Sequence, residues 1–445
     1  MYITIFDYLL LPVYLYVFYL IVKKYSVKYT DPEFRRHFFM AFWLRMFGAF
    51  AYAMVVQYYY GYGDAFTFYV GGNFIIDQIQ SNFSNISLFF ASPEELQKLY
   101  AFQNGTVGGV NGYIGIKSAV AVMKTSAFIS VFTFNKFLIS SLLLAFFSFA
   151  GQWRLFMVFN DINKGKNQKL LAWAVLYTPS IWFWGSGLIK ESICLGALGF
   201  IIGMMYSMFI KGNFSVKNII LTAALVYLVW IIKSYIIIIL SIGLATFIFY
   251  KFLTPFKNIV IRAFIIIIFL STVLFIAFIT NFAEQLQELA NESKVQVDSY
   301  QRNYDAAKNE DDGTRGNIES NEIDASIGGL ILHSPIAIFT CLFRPFLWES
   351  RKVFILFSSL ESTLVLFCTI FLLYKMKFLG FIAGIFKSPF ILTSFLIAIL
   401  FAIIIGFTTY NFGSMARYKI VLLPFYFFTL ISLHTIQQDQ KNNIV

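Results

Sequence analysis

The sequence predicts an all-α, polytopic helical membrane protein. Two observations carry that expectation. First, 59% of the 445 residues are hydrophobic, 20% aromatic and only 13% charged, against roughly 25% charged in soluble domains. Second, runs such as Leu364–Tyr374 and Ile259–Ile279 carry little or no charge, and a spanning helix needs about 20 mostly apolar residues. The formal charge of +11 then reads as basic cytoplasmic loops rather than nucleic-acid binding. Cys194, Cys341 and Cys368 stand apart in apolar segments, without disulfide or metal-site spacing. Residues Met1–Leu20 have no basic n-region and no cleavage site, so no cleavable signal peptide is expected.

Spans are expected at 3–22, 38–59, 136–158, 170–187, 189–210, 217–233, 235–250, 258–280, 353–374, 389–408 and 418–435, about eleven transmembrane helices in one membrane domain over residues 1–445. The pair 217–233 and 235–250 can also be one broken unit. Helices are expected because a lipid-exposed backbone must satisfy its own hydrogen bonds. Lys23, Lys24, Lys28, Arg35 and Arg36 follow the first span. Lys164, Lys166 and Lys169 follow the third; Lys211, Lys217, Lys251, Lys257, Lys375, Lys377 and Lys387 fill later loops. These loops fall on one side, the cytoplasm. The N-terminus is then outside, the C-terminus is cytoplasmic, and the location is the inner (plasma) membrane.

Two long loops are expected outside, at 60–135 and 281–351. The first should carry interfacial helices. The second is acidic from Glu284 to Asp324 and then apolar from Gly328 to Ser350, which reads as a re-entrant or interfacial pair. Its Glu310-Asp311-Asp312-Gly313 turn can take a divalent cation in principle but lacks the spaced ligands of an EF-hand. No cofactor and no metal site are predicted. His333 and His434 are isolated. Glu361 lies within a span, where a carboxylate either serves function or bonds a neighbouring helix.

The informative residues are charges at the outer boundary. Asp64 follows the second span among Tyr58, Tyr59, Tyr60, Tyr62 and Tyr69. A carboxylate there can take a proton from a sugar hydroxyl, or it can cap a helix. Lys190 and Glu191 follow Gly185-Ser186-Gly187, Arg344 and Glu349 bracket Pro345-Phe346-Leu347-Trp348, and Arg417 and Lys419 precede the last span. Lys190, the pair Arg351 and Lys352, and Arg417 with Lys419 lie at expected helix N-termini, where the macrodipole prefers an anion to a cation. A phosphate that completes such sites is one reading. Snorkelling anchors, or a local Lys190–Glu191 ion pair, are the others.

The layout resembles the polytopic GT-C-type glycosyltransferases and related bacterial polysaccharide polymerases. The resemblance rests on Gly63-Asp64-Ala65-Phe66-Thr67-Phe68-Tyr69 opening a long loop, on Pro179 to Glu191, and on Arg417-Tyr418-Lys419 through Pro424. It implies transfer of sugar from a polyprenyl-(di)phosphate-linked donor to a glycan or other hydroxyl acceptor at the outer face. Asp64 would be the catalytic base. Lys190, Arg344, Arg417 and Lys419 would hold the (di)phosphate, with Tyr62, Tyr69, Glu191 and Glu349 in support. Where the family often has two close acidic residues, Asp64 has no acidic neighbour before Asp77. The rival expectations are a transporter or lipid-linked glycan flippase, and a non-catalytic subunit of an envelope complex docking through the acidic loop.

Overall fold

The computed structural model describes residues 2–104, 109–253, 261, 265–268, 327–350, 353–409 and 411–442. Most of the expected span 258–280, the acidic stretch Glu284 to Asp324, and the pair Arg351 and Lys352 lie outside the described residues. The described residues are helical, with no strand, as an all-α membrane protein requires. Among the described residues, seven helices are long and apolar enough to cross a membrane, or up to eight if one bent pair counts as a span. The chain forms two compact units, Met1–Val158 with Val175–Tyr177 and Ile181–Ile237, and Phe159–Ala174 with Thr178–Ser180 and Ile238–Val445.

In the first unit, α1 (Ile5–Ser26) and α2 (Pro32–Met54) are the first two spanning helices. Asp31 caps α2, accepting the Glu33 N–H at 2.9 Å, and Pro32 occupies the first turn, where its missing N–H costs nothing. Asp7 is fully buried and holds two helix starts. Its Oδ2 accepts from the Thr4 N–H and hydroxyl, both at 2.8 Å, and its Oδ1 accepts from the Leu138 N–H at 3.0 Å. Helix α2 widens into a π-helical turn, Val55–Tyr60, which Gly61 ends at φ 71°. A side chain rarely adopts that angle.

The first loop is itself helical: α3 (Asp64–Ser81), a 3₁₀ turn (Phe83–Phe89), α4 (Pro93–Asn104), α5 (Gly109–Ile114) and α6 (Lys117–Thr133). Helices α3 and α6 pack closely because Gly71 and Gly72 present no Cβ. A Cβ on Gly71 would sit 2.5 Å from Met123 Sδ, and one on Gly72 would sit 2.6 Å from Ser126 Oγ. Next come α7 (Phe137–Ile162), α8 (Gln168–Ala172), α9 (Pro179–Trp184), α10 (Lys190–Phe209) and α11 (Val216–Phe252). Gly151 of α7 meets Gly196 of α10 so closely that a Cβ on it would overlap the Gly196 carbonyl. Small residues let membrane helices approach in this way.

The expected span 170–187 is not one helix. It divides into α8, a π-helical turn at Trp173–Tyr177, and α9. The cause is Pro179, which lacks an N–H and pushes Thr178 out of the helical region, to φ −54° and ψ 122°. Polar side chains take over the freed carbonyls. Thr178 Oγ1 donates to Ala174 O at 2.9 Å, and Gln152 Nε2 donates to Val175 O at 2.7 Å. Arg45, 2% exposed, donates to Ile181 O at 2.9 Å and to Gln152 Oε1 at 2.6 Å. The expected spans 217–233 and 235–250 form the single helix α11, interrupted only at Lys233 (φ −151°, ψ 81°), as the broken-unit alternative anticipated.

In the second unit, the apolar end of the second loop folds as α12 (Ile327–Phe343) and a 3₁₀ turn at Leu347–Glu349. Helix α12 packs on α14 (Pro389–Thr408) where Gly406 meets the Ala337 backbone. Between them runs α13 (Val353–Ile385), which continues beyond the expected span end at 374 through a break at Lys377, φ 58°. The chain finishes with α15 (Phe412–Tyr418), a 3₁₀ turn and α16 (Leu423–Asn442). The segments Phe412–Val421 and Leu423–Gln440 meet at a bend of 62°, so the expected span 418–435 is a bent pair.

Candidate functional site

The site residues fall into two groups, one in each unit. In the first unit, Asp64 is the first residue of α3, with Gly63 as the N-cap. It is therefore inside the helix rather than capping it, and a carboxylate in a first turn is favoured by the helix dipole. Tyr113 of α5 donates its hydroxyl to Asp64 Oδ1 at 3.0 Å. One turn along α3, Phe68 is buried and packs edge-on against Tyr113, with ring centroids 6.1 Å apart.

Lys190 opens α10, and its ammonium lies 5.9 Å from the Phe68 ring centroid. It donates to Ser118 Oγ, on α6, at 2.8 Å. Asp64 and Lys190 are thus linked through two aromatic rings, Tyr113 and Phe68. Glu191 is fully buried and accepts from Lys233 at 2.8 Å; the Lys233 side chain is 9% exposed. Lys233 was not among the residues expected from sequence. Its signal was a single cation inside Val229-Trp230-Ile231-Ile232-Lys233-Ser234-Tyr235.

The supporting tyrosines part company. Tyr62 is exposed, whereas Tyr69 is buried and donates to Asn135 O at 2.6 Å, tying α3 to the start of α7. Burial raises the Tyr69 phenol above its ordinary pKa, so it stays protonated as a donor. Asp77 is likewise raised, by burial.

In the second unit, Arg344 makes a forked pair with Glu349. Its Nε lies 3.0 and 3.2 Å from the two carboxylate oxygens, and its Nη2 also contacts Oε1. The guanidinium stands 5.2 Å from the Phe412 ring centroid, at the start of α15. Burial alone would raise the Glu349 carboxyl, but the Arg344 hydrogen bonds and the Phe346 N–H outweigh it and hold the pKa below its ordinary value. Arg417, on the same short helix as Phe412, stands 5.3 Å from the Tyr418 ring centroid.

Lys419 differs from its expectation as a phosphate ligand. It is 1% exposed and donates to Arg344 O at 2.9 Å, Ser362 Oγ at 2.8 Å and Cys341 O at 3.4 Å. Its ammonium closes the C-terminal end of α12, the end where a cation is favoured. Glu361, the expected intramembrane carboxylate, accepts from the Ser180 N–H at 2.6 Å and the Ser180 hydroxyl at 2.5 Å. It serves the helix-bonding alternative. Among the described residues no three His, Cys, Asp or Glu side chains converge as a metal-binding group.

Comparison with family models, curated proteins and solved structures returned no match. The functional reading therefore rests on the residues alone.

Proposed function

We propose that this chain transfers sugar at the outer face of the membrane, from a polyprenyl-(di)phosphate-linked donor to a hydroxyl acceptor. The observation that carries the reading is the Asp64–Phe68–Lys190 arrangement of the first unit. In it Tyr113 holds Asp64 and packs on Phe68, whose ring lies beside the Lys190 ammonium, at the start of the helical first loop. Asp64 takes the proton of the acceptor hydroxyl, and Tyr113 holds its Oδ1. The acceptor oxygen attacks the anomeric carbon, and the bond from that carbon to the phosphate oxygen breaks. The electron pair leaves on the phosphate, whose growing charge Lys190 stabilises. Phe68, itself buried, braces the Tyr113 ring that holds Asp64. Arg344 and Arg417 are candidates for phosphate contact in their own right, in the second unit. The test is a reconstituted assay with a lipid-linked glycan donor. Asp64→Asn should abolish turnover while leaving donor binding, and Lys190→Ala should raise the donor KM. Unchanged turnover in Asp64→Asn refutes the assignment.

One observation favours a second reading, a lipid-linked glycan flippase or transporter. Lys233 breaks an otherwise apolar helix and forms a buried ion pair with Glu191, and broken helices with buried charges mark transport paths. Movement of donor across vesicles without bond cleavage would select it over the transferase.

A further inference from the structure

The ion pair between Glu191 and Lys233 plays no part in the transfer step, yet it sits one residue from Lys190. Helix α10 begins without a side-chain cap, because its N-cap is Ile189. An uncapped first turn frays, and Lys190 is its first residue. Two further side chains of that turn reach beyond α10: Glu191, fully buried and 2.8 Å from Lys233, and Ser192, whose hydroxyl donates to Trp184 O at 3.4 Å. Lys233 in turn occupies the one non-helical position of α11, φ −151° and ψ 81°. Burying two charges has a free-energy cost, and an apolar pair in their place is often as stable or more so. Packing alone therefore does not account for the pair, and what it provides is a fixed position. Cys194, one turn further along α10, lies within electrostatic reach of Lys190, Glu191 and Lys233 together, so the three charges share one locality.

We infer that Lys233 is a positioning residue, acting through Glu191 to hold the first turn of α10 so that Lys190 is set to receive a phosphate group. The inference rests on the reading of Lys190 as a phosphate ligand, and it deepens that reading by naming what fixes the ligand. A phosphate on a lipid tail and a free phosphate present the same oxygens to Lys190, so the experiment separates them.

The experiment measures binding of undecaprenyl phosphate to the full-length chain in nanodiscs of neutral lipid, with inorganic phosphate as competitor, alongside the transfer assay. Lys233→Met should weaken binding about 10- to 100-fold, the scale of a ligand misplaced by about 1 Å. Lys233→Arg should restore most of it. Because removing one partner of a buried pair can unfold the chain, the double variant Glu191→Met/Lys233→Met is made as well. It should melt near the wild type yet bind as weakly as Lys233→Met. The deciding measurement is the Lys190→Ala/Lys233→Met cycle. If Lys233 acts through Lys190, the double variant binds no more weakly than Lys190→Ala alone. Additive losses, or wild-type binding in a folded Glu191→Met/Lys233→Met protein, overturn the inference while leaving the transferase reading intact. Non-additive losses without sugar transfer support the inference and remove that reading. No binding by the wild type overturns both. Displacement by millimolar inorganic phosphate identifies the group itself as the ligand, and resistance to it shows that the lipid tail contributes.

Discussion

Gln152 should be one of the costliest polar residues to remove from the first unit. It is 1% exposed and makes two hydrogen bonds of opposite sense. Its amide nitrogen donates to Val175 O at 2.7 Å, and its amide oxygen accepts from Arg45 at 2.6 Å. In a continuing α-helix Val175 O would accept from residue 179, which is proline and has no N–H. Gln152→Leu therefore leaves a buried carbonyl without this donor, at about 1–3 kcal/mol, and takes an acceptor from a buried guanidinium, at about 1.5–3 kcal/mol. The new apolar side chain returns roughly 1 kcal/mol. Measured side-chain hydrogen bonds in membrane proteins average only about 0.6 kcal/mol, because the unfolded chain in the membrane finds other partners. That discount applies weakly here, since Pro179 denies Val175 its helical donor in either state. A loss of about 2–5 kcal/mol is expected, read from reversible unfolding in mixed SDS micelles. Gln152→Glu keeps an acceptor for Arg45 but gives up the donor to Val175, so it should fall between wild type and Gln152→Leu. A Gln152→Leu protein within about 0.5 kcal/mol of wild type, or a Gln152→Glu protein more stable than wild type, would refute the account.

Gly72→Val should separate α3 from α6, since its Cβ would meet Ser126 at 2.6 Å; about 1–3 kcal/mol is expected, visible as faster proteolysis of the first loop. Asp7→Ala removes the shared cap of two helix starts and should cost about 1–2 kcal/mol in the same unfolding assay. Lys419→Met should lower the melting temperature and leave phosphate affinity per folded molecule unchanged, because its ammonium serves protein acceptors; a selective loss of affinity would restore it to the site. The Glu349 carboxyl is held below its ordinary pKa, so its contribution to stability is complete above that value, about 4.3, and is lost as pH falls through the lower folded value. The melting temperatures of wild type and Glu349→Gln should therefore differ near pH 7 and converge on acidification, and a constant difference would argue against it.

The membrane class and most helices were legible because hydrophobic length is written directly in composition. Helices α1, α2, α7, α10 and α14 lie within a few residues of their expected ranges. The failures have local causes. The expected span 170–187 had the right composition, but Pro179 makes its backbone unable to run through. The loop expected at 375–387 continues as helix because Lys377 absorbs the break at a positive φ, and hydropathy does not report dihedral angles. Among the site residues, Asp64 and Lys190 were visible as charges at span ends. Lys233, Tyr113 and Ser118 were not, because each matters only through a partner between 42 and 72 residues away.

Sequence context alone gave Lys190 and Lys419 one role, since both are lysines entering an apolar helix at the outer boundary. The structure separates them by what each ammonium faces. Lys419 points at the carbonyls of Cys341 and Arg344, the negative end of α12, so the protein itself supplies what a cation needs. Lys190 lies at the positive end of its own helix, where the dipole opposes it, and it meets a neutral hydroxyl and a ring face. The neighbouring carboxylate on the same turn, Glu191, is directed to Lys233. An incoming phosphate has the charge and the oxygens that this position favours. On this view the broken helix at Lys233 and the uncapped start of α10 are one device. Substituting either end should change the affinity for phosphate more than it changes the fold.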